Sequence, residues 1–108
     1  MTNSRQKGAR AERELAHKLT ELLGVKCRRG QQFSGANGDA DVVGVDGIHI
    51  ECKDVQRLEI FKAYEQSVRD ARDGEIPCVM HKKDRKPWLV TMSLEDWAKM
   101  YKENTRIE

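Results

Sequence analysis

Apolar residues recur every three or four positions in two stretches of the chain, which predicts two helices. The first covers Ser4–Leu23 and is followed by Gly24, where a helix C-cap is expected. The second covers 58–72 and ends before Gly74. Its apolar face is expected to comprise Ile60, Phe61, Tyr64, Val68 and Ala71.

A third helix is predicted near the end of the sequence. Ser93 and Asp96 form a capping box at its start, and apolar residues follow at helical spacing from Leu94. Two of these residues are the aromatic Trp97 and Tyr101. We expect both aromatic side chains to lie in the core rather than to stack on nucleobases.

Short apolar and β-branched runs predict five strands. Two of these runs, 41–45 and 48–52, are joined by Asp46-Gly47, and Asp-Gly between β-prone runs predicts a tight hairpin. The other three strands are predicted at 25–33, 76–81 and 88–92. The resulting order, αβββαββα, indicates an α/β fold with a mixed sheet flanked by helices.

Length and composition predict one globular domain over residues 1–108, with 35% charged and 38% hydrophobic residues. No apolar run approaches the roughly 20 residues that a membrane span needs, and no signal peptide is recognisable. We therefore expect no membrane association and a cytoplasmic location.

Three cysteines, Cys27, Cys52 and Cys78, lie in strand-like segments. In the cytosol, buried and reduced thiols are the expected state of such residues. A zinc site formed by the pairs 49/52 and 78/81 is disfavoured, because residues three apart on a strand face opposite sides.

The net charge of +2 is unevenly distributed. Residues 1–35 carry eight Lys or Arg and three Glu, which gives +5, and the remaining 12 basic and 15 acidic residues give −3. A second basic cluster occupies 82–86. These clusters are typical of a surface that faces a polyanion, although a solvated charged face would have the same composition.

The hairpin contains the candidate chemistry. Because side chains alternate along a strand, His49, Glu51 and Lys53 should share one face, and Asp41 begins the facing strand. Two carboxylates brought together in this way suit Mg²⁺, which prefers oxygen ligands and assists phosphodiester hydrolysis. Lys53 would orient the attacking water or stabilise the developing charge. His49 is expected either to support the site or to belong to the core.

Glu12 borders the apolar stripe of the first helix. Gly8 and Ala16 lie one turn to either side of it and leave room for a ligand or another backbone. An ordinary surface glutamate is the alternative interpretation.

The hairpin residues resemble those of the PD-(D/E)xK nuclease superfamily. Ala40-Asp41 stands where the superfamily has Pro-Asp, and Glu51-Cys52-Lys53 matches its (D/E)xK motif. Other segments are similar to archaeal-type Holliday junction resolvases and their phage relatives. These segments are Lys7-Gly8 and Glu12-Arg13 in the first helix, Ser34-Gly35 before the hairpin and Gln66 in the second helix. The resemblance covers roughly residues 5–92, and it departs from the family at Ala40 and in a short C-terminal region.

This resemblance implies a restriction-endonuclease-like fold and a set of site residues. Asp41, Glu51 and the Cys52 carbonyl would bind Mg²⁺, for which Mn²⁺ would substitute. Glu12 would reach the metal directly or through water, Lys53 would serve the nucleophile, and Gln66 would support Lys53 or the scissile phosphate. Asp39 is a rival to Asp41, but Asp41 opens the apolar run and is the better match.

The implied activity is that of a structure-specific DNA endonuclease that resolves four-way junctions by paired nicks as a homodimer. It would act with the DNA in the cytoplasm, including that of a phage-infected host cell. A nuclease for flaps, nicked or unspecific DNA is an alternative, and so is an inactive DNA-binding module. The expected DNA contacts are Arg5, Lys7, Arg10, Arg28, Arg29, Ser34, Lys82, Lys83, Arg85 and Lys86.

Overall fold

Helices and strands alternate in the order αβββαββα in the computed structural model, which describes residues 4–31 and 40–104. This order is the predicted one. The elements are α1 (Ser4–Leu23), β1 (Arg28–Arg29), β2 (Val42–Val43), β3 (Ile48–Asp54), α2 (Ile60–Asp70), β4 (Ile76–Lys82), β5 (Leu89–Thr91) and α3 (Leu94–Asn104).

The strands form one mixed sheet in the order β1-β2-β3-β4-β5. The β3–β4 pair is parallel, and the other neighbours are antiparallel. The predicted hairpin is confirmed: Val42 faces Ile50, and Gly47 adopts a φ of 81° in the turn. A side chain is disfavoured at this φ, which explains why glycine follows Asp46.

The two faces of the sheet are covered by different helices. Ile50 and Cys52 of β3 belong to one core cluster with Ala11 and Leu15 of α1. On the opposite face of β3, Lys53 reaches α2. Alternation along β3 therefore separates an apolar layer under α1 from a polar layer under α2.

Helix α1 has the predicted bounds. Its buried stripe comprises Ala11, Leu15, Ala16 and Leu19, and Gly24, with a φ of 74°, donates its N–H to the Thr20 carbonyl at 3.0 Å. A left-handed glycine with this hydrogen bond is a typical helix C-cap.

The three cysteines are free and buried, as predicted for reduced thiols. Burial raises the pKa of the Cys78 thiol to about 12, and the charge of Glu51 adds to this effect. Burial also raises the pKa of Cys52, with contributions from nearby carboxylates that begin with Asp41. Both thiols are therefore protonated near neutral pH. Among the described helices, none combines the length and the apolarity that crossing a bilayer requires.

The predicted buried face of α2 is wrong at Phe61 and Val68, whereas Ile60, Tyr64 and Ala71 are partly buried. Ala63 and Ser67 are buried, whereas Phe61 is 75% exposed and Val68 is 47% exposed. Small residues allow the helix to lie close to the sheet, and the Ser67 hydroxyl can be buried because it donates to the Tyr64 carbonyl at 2.6 Å. Backbone proximity and a local hydrogen bond therefore outweigh side-chain hydrophobicity here.

The prediction that Trp97 and Tyr101 lie in the core is also wrong. Both are exposed, and α3 has no buried residue among those that the structure describes. The capping box itself is present, since Ser93 Oγ accepts from the Asp96 N–H at 3.0 Å. Helical spacing predicts an apolar stripe but not what covers it, and α1 and α2 already occupy the two faces of the sheet.

Candidate functional site

Asp41 is held at the point where the hairpin ladder begins. Its N–H donates to the Ile50 carbonyl at 3.0 Å, and its own carbonyl accepts from the Gly30 N–H at 2.8 Å. The Asp41 carboxylate accepts from the Cys52 N–H, with 2.8 Å between Oδ2 and N. The carboxylate therefore lies against the backbone of the strand that carries Glu51 and Lys53.

The surroundings of Asp41 disfavour its negative charge. Burial is the largest of the effects that raise the pKa of the Asp41 carboxyl to about 7, and the charges of Glu51 and Glu12 act in the same direction. The Cys52 hydrogen bond and Lys53 act in the opposite direction but are weaker. The negative charges of Glu12 on α1 and Glu51 on β3 thus both act on Asp41, the residue just before β2, and this environment favours the binding of a cation.

Glu51 lies in a buried hydrogen-bonded pair. The His49 imidazole bonds it through Nε2, 3.0 Å from Oε1, and the other ring nitrogen lies 3.8 Å from Glu75 Oε1. The hydrogen bond to Glu51 is the main cause that raises the pKa of His49, and burial opposes it. His49 therefore lies between two carboxylates, Glu51 and Glu75.

A possible acidic metal site includes Glu51. Among the described residues, His49, Glu51 and Asp70 present ligand atoms that all lie within 4.8 Å of one another. Glu12 and Asp41 are not members of this trio. Glu51 therefore belongs to two groups of potential ligands, because its charge also acts on Asp41. One group is at Asp41, and the other is at the end of α2.

Lys53 and Gln66 meet across the polar face of the sheet. Lys53 Nζ donates to Gln66 Oε1 at 3.4 Å, which joins β3 to α2. The ammonium group is close enough to Asp41 to lower the pKa of its carboxyl. The structure thus brings Lys53 and Gln66 together beside the carboxylates.

Glu12 reaches the site from the other face of the sheet and has a cationic partner. Arg29 Nε donates to Glu12 Oε1 at 2.7 Å, and the Glu12 side chain is only 15% exposed. Arg29 therefore contacts Glu12, although its sequence context favoured a contact with DNA.

Comparison with known proteins decides the family. A family model described as "Phage putative PDDEXK endonuclease" matches residues 3–107. The chain belongs to this family. Among solved structures, the chain is similar to Hjc of Archaeoglobus fulgidus, a Holliday junction resolvase from an archaeal hyperthermophile. The TM-score is 0.59 at 29% sequence identity, over 80% of this chain and 72% of the Hjc chain. None of the curated proteins matches the chain.

These comparisons confirm the PD-(D/E)xK resemblance and the restriction-endonuclease-like fold. The PDDEXK endonuclease is a nuclease of this fold, and DNA is the substrate that its family and its structural neighbour imply. Nucleases of this superfamily use divalent metal ions. The carboxylates around Asp41 fit such an ion, because they are oxygen donors in a place that disfavours an uncompensated negative charge.

The basic turn of the PDDEXK endonuclease comprises residues 82–86 and begins at the last residue of β4. Because β3 and β4 are parallel and Asp54 faces Lys82, the carboxyl ends of the two strands lie side by side. The basic turn therefore starts at the end of the sheet where Lys53 lies. Lys83, Arg85 and Lys86 are exposed. Lys82 differs from them: its Nζ lies 3.4 Å from Glu14 Oε2 and 5.7 Å from the Trp88 ring centroid.

The remaining predicted DNA contacts are placed as follows. Lys7 and Arg10 lie on α1, where Arg10 is exposed and Lys7 is partly exposed, and Arg28 is exposed on β1. Arg5 belongs to α1, but its side chain is outside the described part of the structure. Ser34 and Asp39 lie outside the described residues altogether.

Sequence reasoning missed three polar groups near the site. Glu75 and Asp70 approach His49 only because the end of α2 and the start of β4 meet there, so no local pattern could indicate them. Asp54 could have been noticed, since it follows Lys53 directly. Its Oδ1 is buried and has no hydrogen-bond partner within the described part of the chain.

Proposed function

We propose that this PDDEXK endonuclease is a Mg²⁺-dependent, structure-specific DNA endonuclease that resolves four-way junctions by paired nicks. The observation that supports the proposal is the electrostatic environment of Asp41: burial and the charges of Glu51 and Glu12 raise the pKa of its carboxyl, and Lys53 lowers it. This arrangement combines cation-binding oxygens with an ammonium group. The likeness to Hjc, itself a Holliday junction resolvase, favours branched DNA as the substrate.

Asp41, Glu51 and the Cys52 carbonyl would hold the Mg²⁺ ion, with Glu12 binding directly or through water, and Mn²⁺ would substitute. When bound, the ion supplies Lewis acidity to a phosphodiester and lowers the pKa of a water molecule. The pKa of about 7 for metal-free Asp41 supports this assignment, because a cation would relieve the unfavourable charge.

Lys53 is proposed to act on the reacting groups. Its ammonium donates hydrogen bonds to the attacking water or to a phosphate oxygen and compensates the charge that develops during hydrolysis. Gln66 accepts one hydrogen bond from Lys53 and so limits the positions of the ammonium group. Gln66 is thus a positioning residue in this proposal.

His49 and Glu75 are proposed to orient Glu51. A carboxylate that binds metal needs a fixed rotamer, and the 3.0 Å bond from His49 supplies one constraint. Glu75, 3.8 Å from the second ring nitrogen, favours the orientation of the ring that makes this bond. The alternative ligand trio with Asp70 would hold a metal ion at the same glutamate but on its α2 side.

The DNA backbone is proposed to contact the basic surface of Lys83, Arg85 and Lys86, with Arg28, Arg10 and Lys7 contributing elsewhere. These side chains are at least partly exposed, and contacts from Lys and Arg to phosphates position a protein on DNA without reading its sequence. Junction cleavage on two opposed strands requires two sites, so the active form is a homodimer. It acts in the cytoplasm, where the DNA is, including that of a phage-infected host cell.

A second candidate keeps the nuclease site and changes the substrate to flaps, nicked duplex or unspecific DNA. The exposed basic residues are compatible with this candidate, because Lys and Arg contacts to phosphates do not by themselves distinguish branched from unbranched DNA. A DNA-binding module without catalysis is the third candidate, and the complete set of Glu12, Asp41, Glu51 and Lys53 argues against it.

The experiment that tests the proposal compares cleavage of a labelled four-way junction with cleavage of duplex DNA of the same sequence, in Mg²⁺ or EDTA. Wild type, Glu51→Gln and the matched control Glu21→Gln are assayed, because Glu21 is an exposed glutamate at the far end of α1. We expect paired nicks on the junction alone, lost in EDTA and in Glu51→Gln but not in Glu21→Gln.

Other outcomes separate the candidates. Cleavage of both substrates would support the metal site and replace junction specificity with the second candidate. Tight junction binding without cleavage in Mg²⁺ or Mn²⁺ would identify a binding module and refute the enzymatic proposal.

A further inference from the structure

A groove separates the connection between β3 and α2, residues 55–58, from the basic turn. It encloses about 470 Å³ and is lined by this connection, by three lysines of the turn with Pro87, and by His81 of β4 and Leu89 of β5. We call it the lateral groove. Its volume lies within the range of roughly 300–1,000 Å³ that is typical of ligand sites.

Two hydrogen bonds hold the walls of the lateral groove together. The Val55 N–H donates to the Lys82 carbonyl at 3.2 Å, and Gln56 Oε1 accepts from the Asp84 N–H at 3.0 Å. Both bonds join the connection to the basic turn. The groove is therefore formed before a ligand arrives, which reduces the entropic cost of binding.

The lateral groove adjoins Lys53 on the same face of the sheet. His81 faces Lys53 in the parallel β3–β4 pair, and Leu89 faces His81 in the antiparallel β4–β5 pair. Residues paired in this way project from the same face, and neighbouring strands are about 4.8 Å apart. Lys53, His81 and Leu89 therefore form a row across three strands that leads from the proposed catalytic site into the groove.

The lining combines cations with exposed apolar side chains. Its formally charged members are all basic, namely Arg57, Lys82, Lys83 and Lys86. Lys82 pairs with Glu14, whereas the ion pairs of the described residues include none of the other three. Leu89 is 55% exposed and Val55 is 39% exposed, although both are apolar. A nucleotide has anionic phosphates and a base with a stacking face, so it complements both parts of this lining.

His81 adds an oriented ring to the groove. Its Nε2 lies 2.9 Å from Thr91 Oγ1, and this hydrogen bond fixes the imidazole. Burial lowers the pKa of His81, so the ring is neutral near neutral pH. Histidine rings are among the side chains on which nucleobases stack.

We propose that the lateral groove is a nucleotide subsite, which holds the nucleotide next to the scissile phosphate of the DNA substrate. Arg57, Lys83 and Lys86 contact its phosphates, and its base and sugar lie against His81 and Leu89. The inference rests on the proposed function, because Lys53 defines where the scissile phosphate lies. Phosphate contacts and stacking tolerate any base, so the subsite orients a strand without selecting its sequence.

The position beside Lys53 favours DNA over an acidic peptide as the occupant. A DNA strand whose phosphodiester lies at Lys53 continues across the neighbouring surface, and the groove begins one strand away. An acidic peptide would neutralise the same cations, but nothing would place it next to Lys53.

Thymidine bisphosphate, one nucleotide with both of its flanking phosphates, tests the subsite without catalysis. Methyl NMR spectra of the full chain in EDTA are recorded as this compound is added. Leu89 and Val90 are matched reporters, because they are adjacent on β5, are 55% and 56% exposed, and lie on opposite faces of the sheet. We expect saturable shifts of the Leu89 methyl signals and no shifts of the Val90 signals.

Substitutions on the two faces of β5 test DNA binding. Leu89→Glu places a carboxylate in the groove, so it should weaken binding of the four-way junction about tenfold in EDTA. Val90→Glu makes a similar change on the other face and should keep the dissociation constant within about twofold. Fluorescence anisotropy measures both constants, and circular dichroism checks that each variant is folded.

Arg57→Gln tests the phosphate contact. It should reduce by about one the slope of the logarithm of the binding constant against the logarithm of the salt concentration. Arg72→Gln is the matched control, since Arg72 is exposed and lines a different cavity with Gly47 of the hairpin turn. The control should leave the slope unchanged.

Three outcomes would overturn the inference. The first is the absence of a saturable shift at Leu89, and the second is equal weakening of DNA binding by Leu89→Glu and Val90→Glu. The third is a polyglutamate peptide that shifts Leu89 as strongly as the nucleotide does, which would assign the groove to an acidic protein partner. Junction cleavage that persists alongside any of these results would leave the proposed function intact. Nucleotide binding at Leu89 in a protein that never cleaves DNA would support the subsite and refute the proposed function.

Discussion

The Cys52 N–H donates to Oδ2 of Asp41 at 2.8 Å, just beyond the last paired residues of β2 and β3. Where a ladder ends, a strand N–H loses its backbone partner, and here a side-chain carboxylate replaces it. The same bond fixes Asp41 beside the strand that carries Glu51 and Lys53. The hydrogen bond that satisfies the Cys52 N–H at the end of the β2–β3 pair therefore also positions a candidate metal ligand.

Asp41→Asn should stabilise the metal-free protein at high pH. The folded-state pKa of Asp41 is raised to about 7 from an ordinary value of 3.8, so ionisation disfavours the folded state as the pH rises from about 4 to 7. Above pH 7 the penalty is complete. Since one pKa unit corresponds to about 1.4 kcal/mol before solvent screening, we expect Asp41→Asn to gain about 1–2 kcal/mol at pH 8.

Urea unfolding in EDTA at pH 4 and pH 8 measures this difference. At pH 4 the variant and wild type should be nearly equal in stability, apart from any pH-independent effect of the amide. A stability difference that does not change between the two pH values would contradict the origin assigned to it.

Mg²⁺ should raise the melting temperature of the wild type but not that of Asp41→Asn or Glu51→Gln. A ligand that binds only the folded state stabilises it by an amount that grows with the logarithm of the ligand concentration over the dissociation constant, and these substitutions remove carboxylates from the site. At 100 times the dissociation constant the expected gain is about 2.7 kcal/mol. Thermal denaturation in Mg²⁺ and in EDTA measures it.

Asp46→Asn is the matched control for metal binding. Asp46 is exposed in the hairpin turn, and Asn-Gly suits this turn as well as Asp-Gly does. The control should keep the Mg²⁺ effect. Equal loss of the effect in Asp46→Asn would mean that Mg²⁺ acts through general screening of acidic charge.

His49→Gln should reduce cleavage about 10- to 100-fold, because partners that orient a metal ligand typically contribute effects of this size. The amide can still reach Glu51 but lacks the ring that Glu75 approaches. Metal affinity, read from the Mg²⁺ dependence of cleavage, should fall together with the rate. His17→Gln is the control, since His17 is exposed on α1 and pairs only with Glu21 among the described residues.

The basic turn should contribute to DNA affinity without selecting sequence. Replacing Lys83, Arg85 and Lys86 together by Ala should weaken binding similarly for all DNA sequences. It should also reduce the salt slope, the slope of the logarithm of the binding constant against the logarithm of the salt concentration, by up to about three. Titrations at several salt concentrations measure both quantities. An unchanged slope would show that the turn does not contact phosphates.

Lys82→Ala should behave differently from its neighbours in the turn. Lys82 lies 3.4 Å from Glu14 and over the Trp88 ring, so its charge is already partly compensated. We expect a smaller change in salt slope than for any single substitution at Lys83, Arg85 or Lys86. A slope change as large as theirs would indicate that DNA displaces Glu14 from Lys82.

Local chemistry along the chain was enough to predict most of the secondary structure. The Asp46-Gly47 turn, the leucine and alanine stripe of α1, and the Ser93 capping box each depend on neighbouring residues, so each could be recognised before folding. Strand alternation likewise predicted that Glu51 and Lys53 share a face. Helix α2 shows the limit of such patterns, because its buried face depends on how closely the backbone approaches the sheet.

The hairpin, the order of elements and the motif that pairs Asp41 with Glu51 could be predicted from the sequence, because they depend on turn chemistry and strand periodicity. Three features could be known only from the folded structure: His49 lies between Glu51 and Glu75, Arg29 pairs with Glu12, and the apolar residues of α3 are exposed. These contacts join residues from elements distant along the chain or depend on which surface is already covered. Periodicity contains no information about either.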